Sequence, residues 1–173
     1  GKSLTFEYAS NGVVAKKTFA LKDGTYQTGV TSEVFQNGTP VPHLLAWSGG
    51  FGDSTVHKAW TQQKSVYWDP AKSQLILTTA DDTKDGPVSY RGQAPFAGIA
   101  DQYFAAAALP AKDQSIEVLT FNNSFKPEGE TDDQRHVGVA VGGDGTNKFS
   151  WYVGPKDLDI LRSVHPEFEE VVD

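Results

Sequence analysis

Three features of the sequence predict a mainly β chain, a β-sandwich or large antiparallel sheet that ends in short helices. Asn11-Gly12, Asn37-Gly38 and Asp85-Gly86 are dipeptides that tolerate positive φ at the centre of a tight hairpin turn. Short runs rich in Val, Thr, Phe and Tyr lie between such turns, and no amphipathic helical period is legible before about residue 153. After that point the pattern changes to a three-and-four spacing of apolar residues.

The first hairpin is read from "SLTFEY" (3–8), Asn11-Gly12 and "VVAKKTFAL" (13–21). "KDG" at Lys22 to Gly24 then turns the chain into "TYQTGVTSEVFQN" (25–37). Further strands are expected at "HLLAWSG" (43–49), "SVYWD" (65–69), "SQLILTTA" (73–80) and "VSYRG" (88–92). Others fall at "SIEVLTFNN" (115–123), "RHVGVAV" (135–141) and "KFSWYVG" (148–154), with Asp69-Pro70 and "GGDGTN" (142–147) as punctuation. About ten short strands with regular turns suit a sandwich.

The most apolar tract is "FAGIADQYFAAAALP" (96–110). It is too short for a membrane span, which needs roughly 20 apolar residues, and Asp101 and Gln102 interrupt it. Its four consecutive alanines, 105–108, favour helix intrinsically, but Pro95, Gly98 and Pro110 bound it between strands. We read it as one central strand, with Ile99, Asp101, Tyr103, Ala105, Ala107 and Leu109 on one face. Ala100, Gln102, Phe104, Ala106 and Ala108 fall on the other. Small residues on both faces suit close approach from both sides.

"GPKDLDILRSV" (154–164) reads as a helix: Pro155 stands at its start, and Asp157 and Asp159 lie near the positive end of its dipole. His165-Pro166 stops it, because the residue before proline is pushed out of the helical region. Leu158, Leu161, Val164 and Phe168 form a stripe expected to dock onto the sandwich, leaving an acidic face outward. From Pro155 to Asp173 six acids stand against two bases.

The formal net charge of −7 argues against nucleic acid and against adsorption to an anionic membrane surface, both of which need a basic footprint. With no cysteine there is neither a disulfide framework nor a thiolate metal site. The chain starts with Gly and has no methionine, so we expect a piece of a longer protein.

Catalytic signals are absent from the pattern. His43, His57, His136 and His165 have no metal-ligand spacing. "DDTKDG" (81–86) begins like a calcium loop, but the twelfth position, where a bidentate Glu belongs, is Gly92. The "GGFGDS" and "GGDGT" loops lack a phosphate-loop lysine, and no GxSxG elbow exists. We expect no catalytic residue, no metal and no cofactor. Trp47, Phe51, Trp60, Tyr67 and Trp68 fall within 22 residues and either fill the core or line a groove for a sugar or an extended peptide. A carbohydrate-binding or aldose epimerase-like module is the alternative function, with His57 beside Asp53 or His136 beside Asp133 as its acid and base.

Three stretches in order, "AKKTFALKDGTYQTGVTSEVFQNG" (15–38), "FAGIADQYFAAAALP" and "WYVGPKDLDILRSVHPEFEEVVD" (151–173), resemble the periplasmic domain of the bacterial YidC membrane protein insertase family. The resemblance implies a single domain over residues 1–173, a β-supersandwich of galactose mutarotase-like shape through residue 153. Residues 154–173 would then be a helical segment leading to a membrane helix of the parent protein. It implies a non-catalytic domain in the periplasm of an inner-membrane insertase and chaperone. Its partners would be Sec translocon components, nascent membrane proteins and the parent's own transmembrane core. Strand edges or a groove would hold an extended chain by strand addition. The family domain carries further strands ahead of the point where this chain begins, so the resemblance also implies a sandwich that is incomplete here.

Overall fold

The computed structural model describes residues 1–51, 63–126, 128–129, 131 and 134–172. Its strands begin with the hairpin β1 (Lys2–Ser10) and β2 (Val13–Leu21), followed by β3 (Gln27–Gln36), β4 (Thr39–Pro40) and β5 (Leu44–Trp47). Then come β6 (Lys64–Asp69), β7 (Gln74–Thr78), β8 (Val88–Gly92), β9 (Ala97–Ala100) and β10 (Phe104–Leu109). The long strands β11 (Ile116–Phe125), β12 (Gln134–Gly142) and β13 (Thr146–Pro155) precede helix α1 (Leu158–Val164) and a 3-10 helix over Pro166–Val172.

All pairings are antiparallel. The larger sheet runs β1-β2-β3-β13-β10-β9-β6-β7, with β4 on the end of β3, and the smaller runs β5-β12-β11-β8. The two Asn-Gly turns behave as their chemistry requires: Asn11 and Gly12 have φ of 52° and 82°, Asn37 and Gly38 of 49° and 83°. Both central residues are left-handed, as a primed hairpin turn needs. Asp85-Gly86, by contrast, closes no hairpin, since β7 and β8 on either side of it belong to different sheets.

The tract 96–110 is extended, but as two strands rather than one. Asp101 turns the chain: its Oδ1 accepts the backbone N–H groups of Tyr103 and Phe104, each at 2.7 Å, and β9 folds back against β10 with Gly98 opposite Ala107. The face assignment therefore changes across the turn. Ile99 shares the core between the sheets with Ala106 and Ala108, while Ala105 and Ala107 point to the opposite side. Asp101 and Gln102 had seemed ordinary strand positions because period-2 counting cannot see an Asx turn, which a short polar side chain makes by capping its own backbone.

Two cores result, one on each side of β10. Between the sheets lie Val30, Ile99, Val118, Val139, Val141 and Phe149, and Ser65 Oγ meets Thr120 Oγ1 at 2.8 Å across this layer. On the outer face of the larger sheet, Trp68, Phe96, Ala105, Ala107 and Tyr152 are covered by Leu161, Phe168 and Val171 of the helical segment. Asp157 caps α1 by accepting the Ile160 N–H at 3.0 Å. Alanines at both faces of β10 let the two layers come close, which is why a run of helix formers is held as a strand: tertiary burial overrides local propensity.

The smaller sheet lies over β9 and β6 and, among the described residues, ends at β5. The β1–β2 ribbon therefore projects beyond it. Leu4, Phe6 and Tyr8, on the face that would belong to a core, are 54%, 60% and 64% exposed.

Candidate functional site: an apolar groove beside an edge strand

Residues that alternate along β1, β2, β3 and β13 build the floor of a groove. Register places Leu4 opposite Phe19, Phe19 opposite Val30 and Thr28 opposite Trp151, so these side chains share one face. Leu45, Ala46 and Trp47 of β5 form the wall. The cavity holds about 440 Å³, within the usual range for a small ligand site of roughly 300–1,000 Å³. Among the described residues that line it, Lys17 is the single charged one. Among the described residues β5 pairs with β12 alone, so within them the wall lies at a sheet edge.

Aromatic rings continue this surface. Trp47 stacks on Trp151 with centroids 6.2 Å apart, Phe51 follows Trp47 at 5.9 Å, and Phe104 follows Phe51 at 6.0 Å. Trp47 and Phe51 thus belong to the groove region. Tyr67 and Trp68 part from each other, because consecutive strand residues face opposite ways. Tyr67 stacks on Tyr90 at 4.3 Å against the core between the sheets, and Trp68 packs in the outer core. Burial, with help from Asp69, pushes the Tyr67 hydroxyl above its ordinary value. Trp60 lies outside the described residues, as do Asp53, His57 and Asp133. Clustering in sequence had grouped these rings; Trp151 and Phe104, distant in sequence, complete the row and are found only through register.

The wall is held by a polar cluster at its base. His43 Nδ1 donates to the Val41 carbonyl at 2.9 Å, and its Nε2 meets Ser32 Oγ at 2.6 Å and Asn147 Nδ2 at 3.2 Å. Asn147, fully buried, also donates to the carbonyls of His43 and Asp144. This ties the start of β5 to β3 and to the β12–β13 turn. His136 is buried in β12, and burial pulls its imidazole below the ordinary value.

The predicted terminal stripe divides. Leu161 and Phe168 are fully buried on the sheet and Val164 packs against them, whereas Leu158 is exposed. Phe168 stands 4.7 Å from the Phe96 ring and 5.4 Å from Tyr152. Tyr152 donates to the Pro155 carbonyl at 2.6 Å, and burial first, with Tyr26 and Asp157 adding, pushes its hydroxyl up to about 12. The "DDTKDG" segment forms a 3-10 turn over Asp81–Thr83. Asp82 accepts from the Thr79 backbone and hydroxyl there, which holds its carboxyl below the usual range. Among the described residues no group of three or more His, Asp or Glu is placed to hold a metal ion, and no helix is long and apolar enough to cross a membrane.

The sequence profile of the YidC periplasmic domain matches residues 1–173. The chain belongs to the YidC periplasmic domain family. Relatives named membrane protein insertase YidC include one from Geobacter sp. strain M21, 28% identical over 171 residues that make up 95% of this chain and 31% of that protein. Another, from Anaeromyxobacter dehalogenans strain 2CP-1, is 30% identical over 190 aligned positions, covering 99% of this chain and 31% of that protein. A third, from Pseudoalteromonas translucida strain TAC 125, is 26% identical over 95% of the chain. The chain thus spans about a third of the length of the YidC relatives it matches.

Proposed function

We propose that residues 1–173 form one periplasmic domain of an inner-membrane protein insertase, and that the domain works by binding rather than by catalysis. Residues 1–153 supply the sandwich, and residues 154–173 lead toward a membrane helix of the parent. In this reading the domain assists insertion and folding of inner-membrane proteins, contacts Sec translocon components and sits against the parent's transmembrane core. The supporting observation is the apolar groove beside β5, which among the described residues pairs with β12 alone, in a chain of the YidC periplasmic family.

The mode of binding follows from that geometry. An extended apolar segment would add to β5 through backbone hydrogen bonds and lay alternate side chains on Leu4, Phe19 and Trp151, as in other strand-addition complexes. A photocrosslinking amino acid at Ala46 of the full-length parent, with a stalled membrane-protein segment as bait, tests it. Crosslinks to the bait that weaken in a Trp47→Ala background support the reading. Crosslinks that go solely to the parent's own chain refute binding in the groove.

A further inference from the structure

Lys16 and Lys17 are neighbours in β2 and stand in opposite surroundings. Consecutive strand residues face opposite ways, and register puts Glu7 of β1 and Glu33 of β3 across from Lys16. The Lys16 Nζ lies 3.8 Å from the Glu7 carboxylate. Lys17, exposed on the groove face, has Phe6 and Ser32 across from it instead, and Ala15 and Phe19 are the next residues on its own face of β2. Among the described residues Lys17 makes no ion pair. In a chain of net charge −7, the groove thus keeps one ammonium without a counter-charge.

Floor and wall fix where along the groove that ammonium stands. At one end Trp47 stacks on Trp151, which lies opposite Thr28, itself opposite Leu21. At the other end His43, just ahead of β5, meets Ser32 and Asn147, and Ser32 lies opposite both Asn147 and Lys17. Leu21 to Lys17, Thr28 to Ser32 and Trp151 to Asn147 are each four residues apart, about 13 Å at roughly 3.3 Å per residue. Midway stands the row of Phe19 and Val30. A strand laid along β5 turns every second side chain to the floor. Counted from the Trp47 end, its first, third and fifth residues therefore meet the Trp151 row, the Phe19 row and Lys17.

We propose that Lys17 sets the specificity of the groove, and that its occupant is an extended segment with two apolar side chains, over the Trp151 and Phe19 rows, and a carboxylate at Lys17. The inference rests on the reading of the groove as a strand-addition site and adds which segments that site takes. An acidic side chain at the fifth position supplies the counter-charge that β1 and β3 withhold from Lys17 and give to Lys16. A basic one sets like charges together, which is discrimination by repulsion. An ion pair at an exposed amine is worth little by itself, so Lys17 sorts among segments that the apolar rows hold.

The test uses the full-length parent with the photocrosslinking amino acid at Ala46. Stalled baits carry Leu-Thr-Leu-Thr-X, or the reversed order for a strand running the other way, with Glu, Gln or Lys at X. In one of the two orders the Glu bait should crosslink about two- to five-fold more than the Gln bait, and the Lys bait less than either. Lys17→Gln should level the three, Lys17→Glu should reverse their order, and Lys16→Gln, on the opposite face, should leave it unchanged. Moving the Glu by one position, so that it faces away from the floor, should remove its advantage. Equal crosslinking of Glu and Gln baits in both orders, or a Glu preference that persists in Lys17→Gln or disappears in Lys16→Gln, overturns the proposal and leaves strand addition standing. If no bait crosslinks to Ala46, the groove reading falls and this proposal with it.

Discussion

Gly98 sits at the crossing of three strands, and replacing it with Ala tests the account of the central hairpin. Its neighbours are Ala107 on β10 and Val66 on β6. A Cβ at this position would lie 1.9 Å from the Ala106 carbonyl oxygen, 2.5 Å from the Ala107 Cα and 2.8 Å from the Ala106 carbonyl carbon. All three are backbone atoms, so no rotamer change relieves the contact. Opening the hairpin by about 1 Å would weaken the β9–β10 ladder and disturb both cores at once, because Ala106 faces one and Ala105 and Ala107 face the other. Overpacking of this kind costs about 1–3 kcal/mol and sometimes more; with the three nearest atoms all backbone of β10 we expect about 3 kcal/mol. For a chain of this size that lowers Tm by roughly 6–12 °C, at about 2–4 °C per kcal/mol. Thermal unfolding followed by far-UV circular dichroism measures it, with Gly29→Ala as the control. Gly29 lies in β3 of the same sheet, and an added Cβ there meets the Ala20 Cβ at 3.4 Å, an ordinary contact. If Gly98→Ala melts within about 2 °C of the unsubstituted chain, the hairpin is not packed as described and the reasoning fails.

Three more outcomes follow from the same geometry. Phe168→Ala should destabilise by about 3–5 kcal/mol in urea unfolding, since it empties a fully buried ring site, while Leu158→Ala at the exposed start of α1 should cost less than about 0.5 kcal/mol; similar costs for the two would mean the segment does not dock. Ser65→Ala leaves the buried Thr120 hydroxyl without its 2.8 Å partner and should cost about 1–3 kcal/mol, whereas adding Thr120→Val should restore much of that loss; additive losses in the double-mutant cycle would show that the pair does not interact. With its hydroxyl raised to about 12, Tyr152 keeps a proton in the folded state that the unfolded chain gives up near pH 10. Its contribution is full below pH 10 and is lost as pH rises from there toward 12, so in spectrophotometric titration Tyr152→Phe should remove the tyrosinate signal that appears last.

Local chemistry carried much of this structure, and the groove shows where it ran out. The Asn-Gly turns, the alternation of Leu4, Phe6 and Tyr8, and the Asp157 cap with its His165-Pro166 stop are each decided within a few residues, by backbone sterics, side-chain period and local hydrogen bonds. The three-and-four spacing identified the stripe of the helical segment that faces the sheet but not its depth: Leu161 and Phe168 are buried and Leu158 is not, because burial depends on the layer packed against each position. The turn at Asp101 is made within three residues and was passed over by period counting, but the pairing of distant strands β3 and β13 depends on contacts across more than a hundred residues of chain, and no window of sequence contains it. Trp47 meets Trp151 for that reason alone. What the sequence by itself determined, therefore, is the β character, the turns, the acidic helical end and the family resemblance. The tertiary structure decided which faces meet, where the smaller sheet stops and which apolar residues are left at the surface, since long-range strand order and register are properties of the assembled sheets.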